Sequence, residues 1–106
     1  MLYDRARFEP PIEEPWNPEH VRDAIGAIVA DVDAAFAPDS FWPAFPWDSD
    51  DGEAQLPLKG LYVGAAGVIW ALDTLRRNGH AETSLDLAGA ALRLLDLWRA
   101  EPDWYF

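Results

Sequence analysis

Apolar residues fall along this chain in two kinds of run: helical stripes, and a cluster of aromatics broken by prolines. Val21, Ile25, Ile28, Val29, Val32 and Phe36 recur three or four positions apart, with Arg22, Asp23 and Asp31 off the stripe, which predicts an amphipathic helix over 17–37. Its start is marked by Asn17-Pro18-Glu19: a capping side chain, a proline where no backbone N–H is needed, and an acid at the positive end of the helix dipole. Pro38 stops it. Gly26 in its interior costs about 1 kcal/mol relative to alanine, so a close neighbour is expected there.

A second apolar run opens with Gly60, Gly64 and Gly67 and continues to Arg77, predicting a helix over 60–78. Asn78-Gly79 is a left-handed stop, and Arg76 and Arg77 complement the dipole at that end. Thr83-Ser84-Leu85-Asp86 reads as a capping box opening a third helix over 83–101, which Pro102 ends. Leu85, Leu87, Ala88, Ala91, Leu92, Leu94, Leu95, Leu97 and Trp98 cover more than one of its faces, so deep burial and self-association at high concentration are expected. The short connection makes helices two and three an antiparallel pair.

Between these patterns lie segments with no period. Residues 1–16 hold Pro10, Pro11 and Pro15 and predict an extended arm, with Phe8 and Trp16 as candidate anchors. Residues 38–59 contain four prolines and form a long loop. Its Phe41, Trp42, Phe45 and Trp47 argue for order, because each large side chain left in water forgoes about 1.5–3 kcal/mol. Packing onto the helices is one use for them. Lining a groove for a peptide or ligand is another, with Trp42, Phe45, Trp47 and Tyr62 as the candidate lining residues.

The glycine spacing raises the question of a nucleotide loop. GxxxGxxG lacks the lysine and hydroxyl of a phosphate loop and the GxGxxG of a dinucleotide fold, and no strand pattern precedes it. A membrane helix is also excluded, since the best apolar window, Leu61 to Leu72, falls short of roughly 20 residues. Close packing remains, in either of two forms. Gly60, Gly64, Gly67 and Ala71 can share a helix face that admits a partner backbone. Alternatively Gly60 to Gly64 form a loop, the helix starts near Ala65, and its entrance presents free N–H groups.

Composition narrows the partners. With 8 basic and 19 acidic side chains the net charge is −11, which repels nucleic acid and anionic membrane and favours neutral or basic partners. The 106 residues suit a single unit, 1–106. No cysteine is present, which removes disulfides, thiolate ligands and thiol nucleophiles, and with no signal-like segment at the N-terminus a cytoplasmic location is expected. The acids Asp48, Asp50, Asp51 and Glu53 lack the spacing of a calcium loop, and Ser40, Ser49 and Ser84 have no nucleophile-elbow context. A glycosidase-like acid–base pair needs two carboxylates at a set separation, which sequence cannot place.

The stretch LYVGAAGVIWALDTLRRNG resembles the glycine-rich repeat of the lanthionine synthetase C-like (LanC-like) proteins, and FWPAFPWD before it is similar to a segment of some bacterial members. The resemblance covers mainly residues 41–79. It implies an all-α chain of antiparallel helices forming the N-terminal portion of a larger α/α toroid. It further implies thioether-forming peptide cyclisation, or related peptide or thiol handling, by the complete protein, with this chain inactive alone. The family's cyclases hold zinc with two cysteines and a histidine from later repeats; here His20 and His80 have no ligand spacing, and Val63 replaces a polar residue of relatives. No cofactor, metal or catalytic residue is therefore assigned within this chain. The expected partners are the rest of a toroid, a second copy, or a peptide. From a different class, the same residues fit a non-catalytic acidic helical interaction module.

Overall fold

The computed structural model describes residues 11, 13–43 and 57–102. It contains three helices, α1 (Pro18–Ala35), α2 (Ala65–Arg77) and α3 (Leu87–Ala100), and among the described residues no strand, so the chain is all-α. In α1 the Asn17 side chain accepts from the backbone N–H groups of Glu19 (3.0 Å) and His20 (3.3 Å), the cap that the sequence signals. The far end of α2 is closed by Gly79 at φ +72°, with Gly79 N–H donating to Arg76 and His80 N–H to Leu75. That bond pair is a Schellman motif.

Among the described residues the core is centred on the α2–α3 hairpin. α2 contributes Ala65, Ile69 and Leu72, α3 contributes Leu87, Ala90 and Leu94, and α1 adds Val29. The eighth member is Phe41, only 1% exposed, delivered by the turn after α1. Ala37 and Phe41 exchange both backbone hydrogen bonds (2.8 and 2.7 Å) across this turn, and Phe41 sits at φ +60°. The left-handed backbone costs roughly 1–2 kcal/mol for a residue with a side chain. Burying a phenylalanine returns about 1.5–3 kcal/mol, enough to hold it there. Phe36 meets Phe41 edge-on at 5.9 Å and Trp42 at 5.0 Å, and the Trp42 indole N–H donates to the Val32 carbonyl at 2.8 Å. These aromatics pack onto α1; Phe45 and Trp47 lie outside the described residues.

Of the two forms open for the glycines, the loop form is the one adopted. α2 begins at Ala65 with Gly64 as its N-cap, and the chain just before it folds back over the first turn. A Cβ on Gly64 would stand 2.5 Å from Gly60 N and 2.7 Å from the Leu58 carbonyl group, and one on Gly67 would collide with the Leu61 oxygen. The close approach is thus made by the helix's own entry loop and not by a second helix. Only Gly67 remains inside α2, so the helix-propensity cost is about 1 kcal/mol. The N–H groups expected to be free are occupied: Ala65 donates to Leu58 (2.9 Å), Ala66 to Lys59 (3.3 Å) and Gly67 to Gly64 (3.1 Å).

Four local expectations are corrected. Thr83 does not cap α3; the helix opens later, at Leu87, and Asp86 caps it by accepting from Gly89 N–H, while the Thr83 oxygen accepts from Leu85 N–H in the turn before it. Gly26 has nothing within 4 Å of where a Cβ would stand, so no neighbour explains it. Trp16 is exposed and, among the described residues, is not packed against the core. α3 is not deeply buried, since α2 covers one face and leaves Leu92, Leu95 and Trp98 exposed.

Candidate functional site

Three groups of residues gather chemistry or shape. The first is a polar clasp between α1 and the α2–α3 connection. Asp33, near the end of α1, accepts from the Thr83 hydroxyl (2.5 Å), the Ser84 N–H (2.7 Å) and the Ser84 hydroxyl (3.0 Å). Desolvation pushes the Asp33 carboxyl up, and the three donors outweigh it, holding the group below its ordinary 3.8. An ionised acceptor with three donors from another element fastens the two together.

The second is a groove of about 920 Å³ beside α2, lined among others by Ile28, Val32, Trp42, Leu61, Tyr62 and Leu75. Two of the sequence-predicted lining residues, Trp42 and Tyr62, meet here. Trp42 is half-buried and tied to α1, whereas Tyr62 is 89% exposed on the entry loop. Among its described lining residues only Tyr62 is ionisable, and they offer shape and apolar area.

The third is a groove of about 630 Å³ between α2 and α3. Ile69 and Leu94 are buried along it, and Trp70, Leu95 and Trp98 stand exposed beside them. Its polar lining is Lys59, Asp73, Arg76 and Arg77. Asp73 binds both guanidiniums, at 2.7 Å to Arg76 Nη2 and 2.6 Å to Arg77 Nε. The hydrogen bond from Arg76, followed against some desolvation by the charges of Arg77 and Arg76, holds the Asp73 carboxyl below 3.8. One carboxylate therefore serves two cations.

Sequence reading did not single out this third set. Arg76 and Arg77 read as dipole complements, and Trp98 as one more core residue of a helix apolar over a wide arc. The available signal was spacing: Trp70, Asp73 and Arg77 lie three and four apart on one face of α2.

Among the described residues, neither groove is lined by a histidine, serine or cysteine. Among the described residues no three His, Cys, Asp or Glu side chains gather as a metal ion would need. The two-cysteine, one-histidine zinc set implied by the LanC-like resemblance does not fit this chain, which has no cysteine and whose His20 and His80 are both exposed on separate elements. The acidic run 48–53 lies outside the described residues. No helix among them is long and apolar enough to cross a membrane. No known family model, curated protein or solved structure matches the chain.

Proposed function

We propose that this chain is a non-catalytic, acidic helical interaction module that binds a protein partner, or itself, through the apolar faces of α2 and α3. The observation that carries the reading is the exposure of Leu61, Tyr62, Trp70, Leu92 and Trp98 on and around a core that, among the described residues, holds eight buried hydrophobics. Scattered exposed apolar residues need no explanation, but large aromatics standing along grooves mark interaction surfaces. Trp70, 66% exposed, lines both grooves and so stands on the ridge between them. A photo-crosslinking residue placed at position 70 or 98 tests this in cells. The expected result is a discrete protein adduct from both positions and none from position 96, an exposed site off the groove lining. No adduct from either position would refute the module.

A second reading is favoured by one feature, the grooves on both sides of α2. A helix with apolar space to either side suits the inner layer of an α/α toroid, in keeping with the resemblance to LanC-like proteins over residues 41–79. On that reading the complete protein works in the cytoplasm on thioether formation or related peptide and thiol chemistry, and this chain supplies scaffold. Stoichiometric zinc in the longest natural version of the protein would support it, and a zinc-free version would count against it.

A further inference from the structure

We infer that the α2–α3 groove takes an acidic amphipathic helix, about three turns long, whose carboxylates meet Arg76 and Arg77. The inference deepens the interaction-module reading and rests on it. Shape comes first. The lining residues run from Ala66 to Arg77 on α2 and from Leu87 to Trp98 on α3, so the groove follows both helices for about three turns, or roughly 16 Å. Two helices lying along each other leave a furrow into which the ridge of a third can pack. Among the described residues there is no strand edge to receive an extended peptide instead. Ala66, Ala88 and Ala91 keep part of the lining low, which allows a helix backbone to come close. Trp70, Leu95 and Trp98 offer the kind of exposed anchors that seat the apolar stripe of a helix.

Charge decides which helix. The chain as a whole is acidic, at −11, and on that ground alone neutral or basic partners are favoured. The groove reverses the sign at its rim: among its described lining residues the exposed arginines Arg76 and Arg77 stand against the carboxylate of Asp73. Asp73 divides its two oxygens between two guanidiniums, and both arginine side chains are more than half exposed, so each keeps donors directed to solvent. At physiological salt the screening length is about 8 Å, and a bound helix therefore responds to these rim charges more than to acids on the far side of the molecule. Carboxylates on the partner would complete the pairing that Asp73 leaves half done.

The test uses the full chain and two labelled synthetic helices with the same leucine stripe at i, i+3, i+4 and i+7, one flanked by glutamates and one by lysines. Fluorescence anisotropy should show the glutamate helix binding roughly ten-fold more tightly, as two or three exposed ion pairs allow, with the difference shrinking as salt is raised. Arg76→Gln with Arg77→Gln should abolish the preference, and Arg76→Glu with Arg77→Glu should invert it, with helical circular dichroism unchanged in both. Equal binding of the two helices, or a preference that survives the glutamine pair, overturns the acidic assignment while leaving the interaction module standing. Binding of neither helix, or a concentration-dependent dimer that excludes them, overturns the groove as a receptor for another protein's helix. The crosslinks from positions 70 and 98 judge the module separately, because a self-adduct supports the module and counts against this inference.

Discussion

A single methyl group separates the roles of three glycines that look alike in the sequence. Gly67 lies in α2 under the Leu61 carbonyl, where a Cβ has no room and the obstacle is backbone. Gly67→Ala should destabilise the chain by about 1–3 kcal/mol, the usual cost of overpacking, after any gain in helix propensity. Gly26 stands in α1 with open space around it, and Gly26→Ala should stabilise by up to about 1 kcal/mol. Urea denaturation followed at the helix band checks both, and opposite signs are the expected outcome. Gly79 is the third kind: its φ of +72° is what a left-handed cap requires, so Asn78-Gly79 could be read correctly from sequence alone. The Gly26 and Gly67 contrast could not, because a neighbour 6 residues away along an irregular loop leaves no periodic trace.

At the scale of elements, the helices follow from local signals, and the contacts that dock them do not. Asn17-Pro18-Glu19 starts α1 and Pro38 follows its end, both legible as written. Thr83 and Ser84 carry the same kind of signal, yet they donate to Asp33, about fifty residues earlier, and α3 opens three residues later under Asp86. Hydrogen bonds to charged groups contribute about 1.5–3 kcal/mol against 0.5–1.5 for neutral ones, so the ionised Asp33 holds these donors firmly. Asp33→Asn should therefore loosen α1 from the hairpin and cost about 1–3 kcal/mol at neutral pH. The sign with pH follows from the direction of the shift. Asp33 titrates below its ordinary 3.8 when folded, so its contribution is complete above that value and disappears as pH falls through the lower folded one. Wild type and Asp33→Asn should differ in melting temperature at pH 7 and converge in strong acid; a constant gap across that range would dismiss the clasp.

At the scale of the molecule, the core that the described residues form is shallow. Six of the eight core residues belong to the hairpin, and α1 joins it through Val29, the Phe41 turn and the Asp33 clasp. Phe41→Ala should cost about 3–5 kcal/mol, a large share of the 5–15 kcal/mol that native domains possess. Loss of the α1 signal ahead of α2 and α3 in hydrogen exchange is the expected pattern, and cooperative loss of all three helices would show that the hairpin has no stability of its own. The same shallow core accounts for the expectation that failed for α3. Its apolar arc is as wide as the sequence indicates, but one neighbouring helix can cover only one side of it. The exposed remainder, Leu92, Leu95 and Trp98, is what makes an interaction surface rather than a deeper core the reading to test.

Sequence by itself determined the all-α class, the positions of the three helices to within a few residues, the Asn17 and Gly79 caps and the acidic excess. These depend on periodicity and on contacts within one turn, which a linear reading contains. Tertiary structure alone decided that loop 58–61 closes over Gly64 and Gly67, that Asp33 claims Thr83 and Ser84, and that Arg76 and Arg77 share Asp73 beside Trp70 in the α2–α3 groove. Each of these depends on which surfaces the folded backbone brings within a few ångströms of each other, and neither composition nor period encodes that distance.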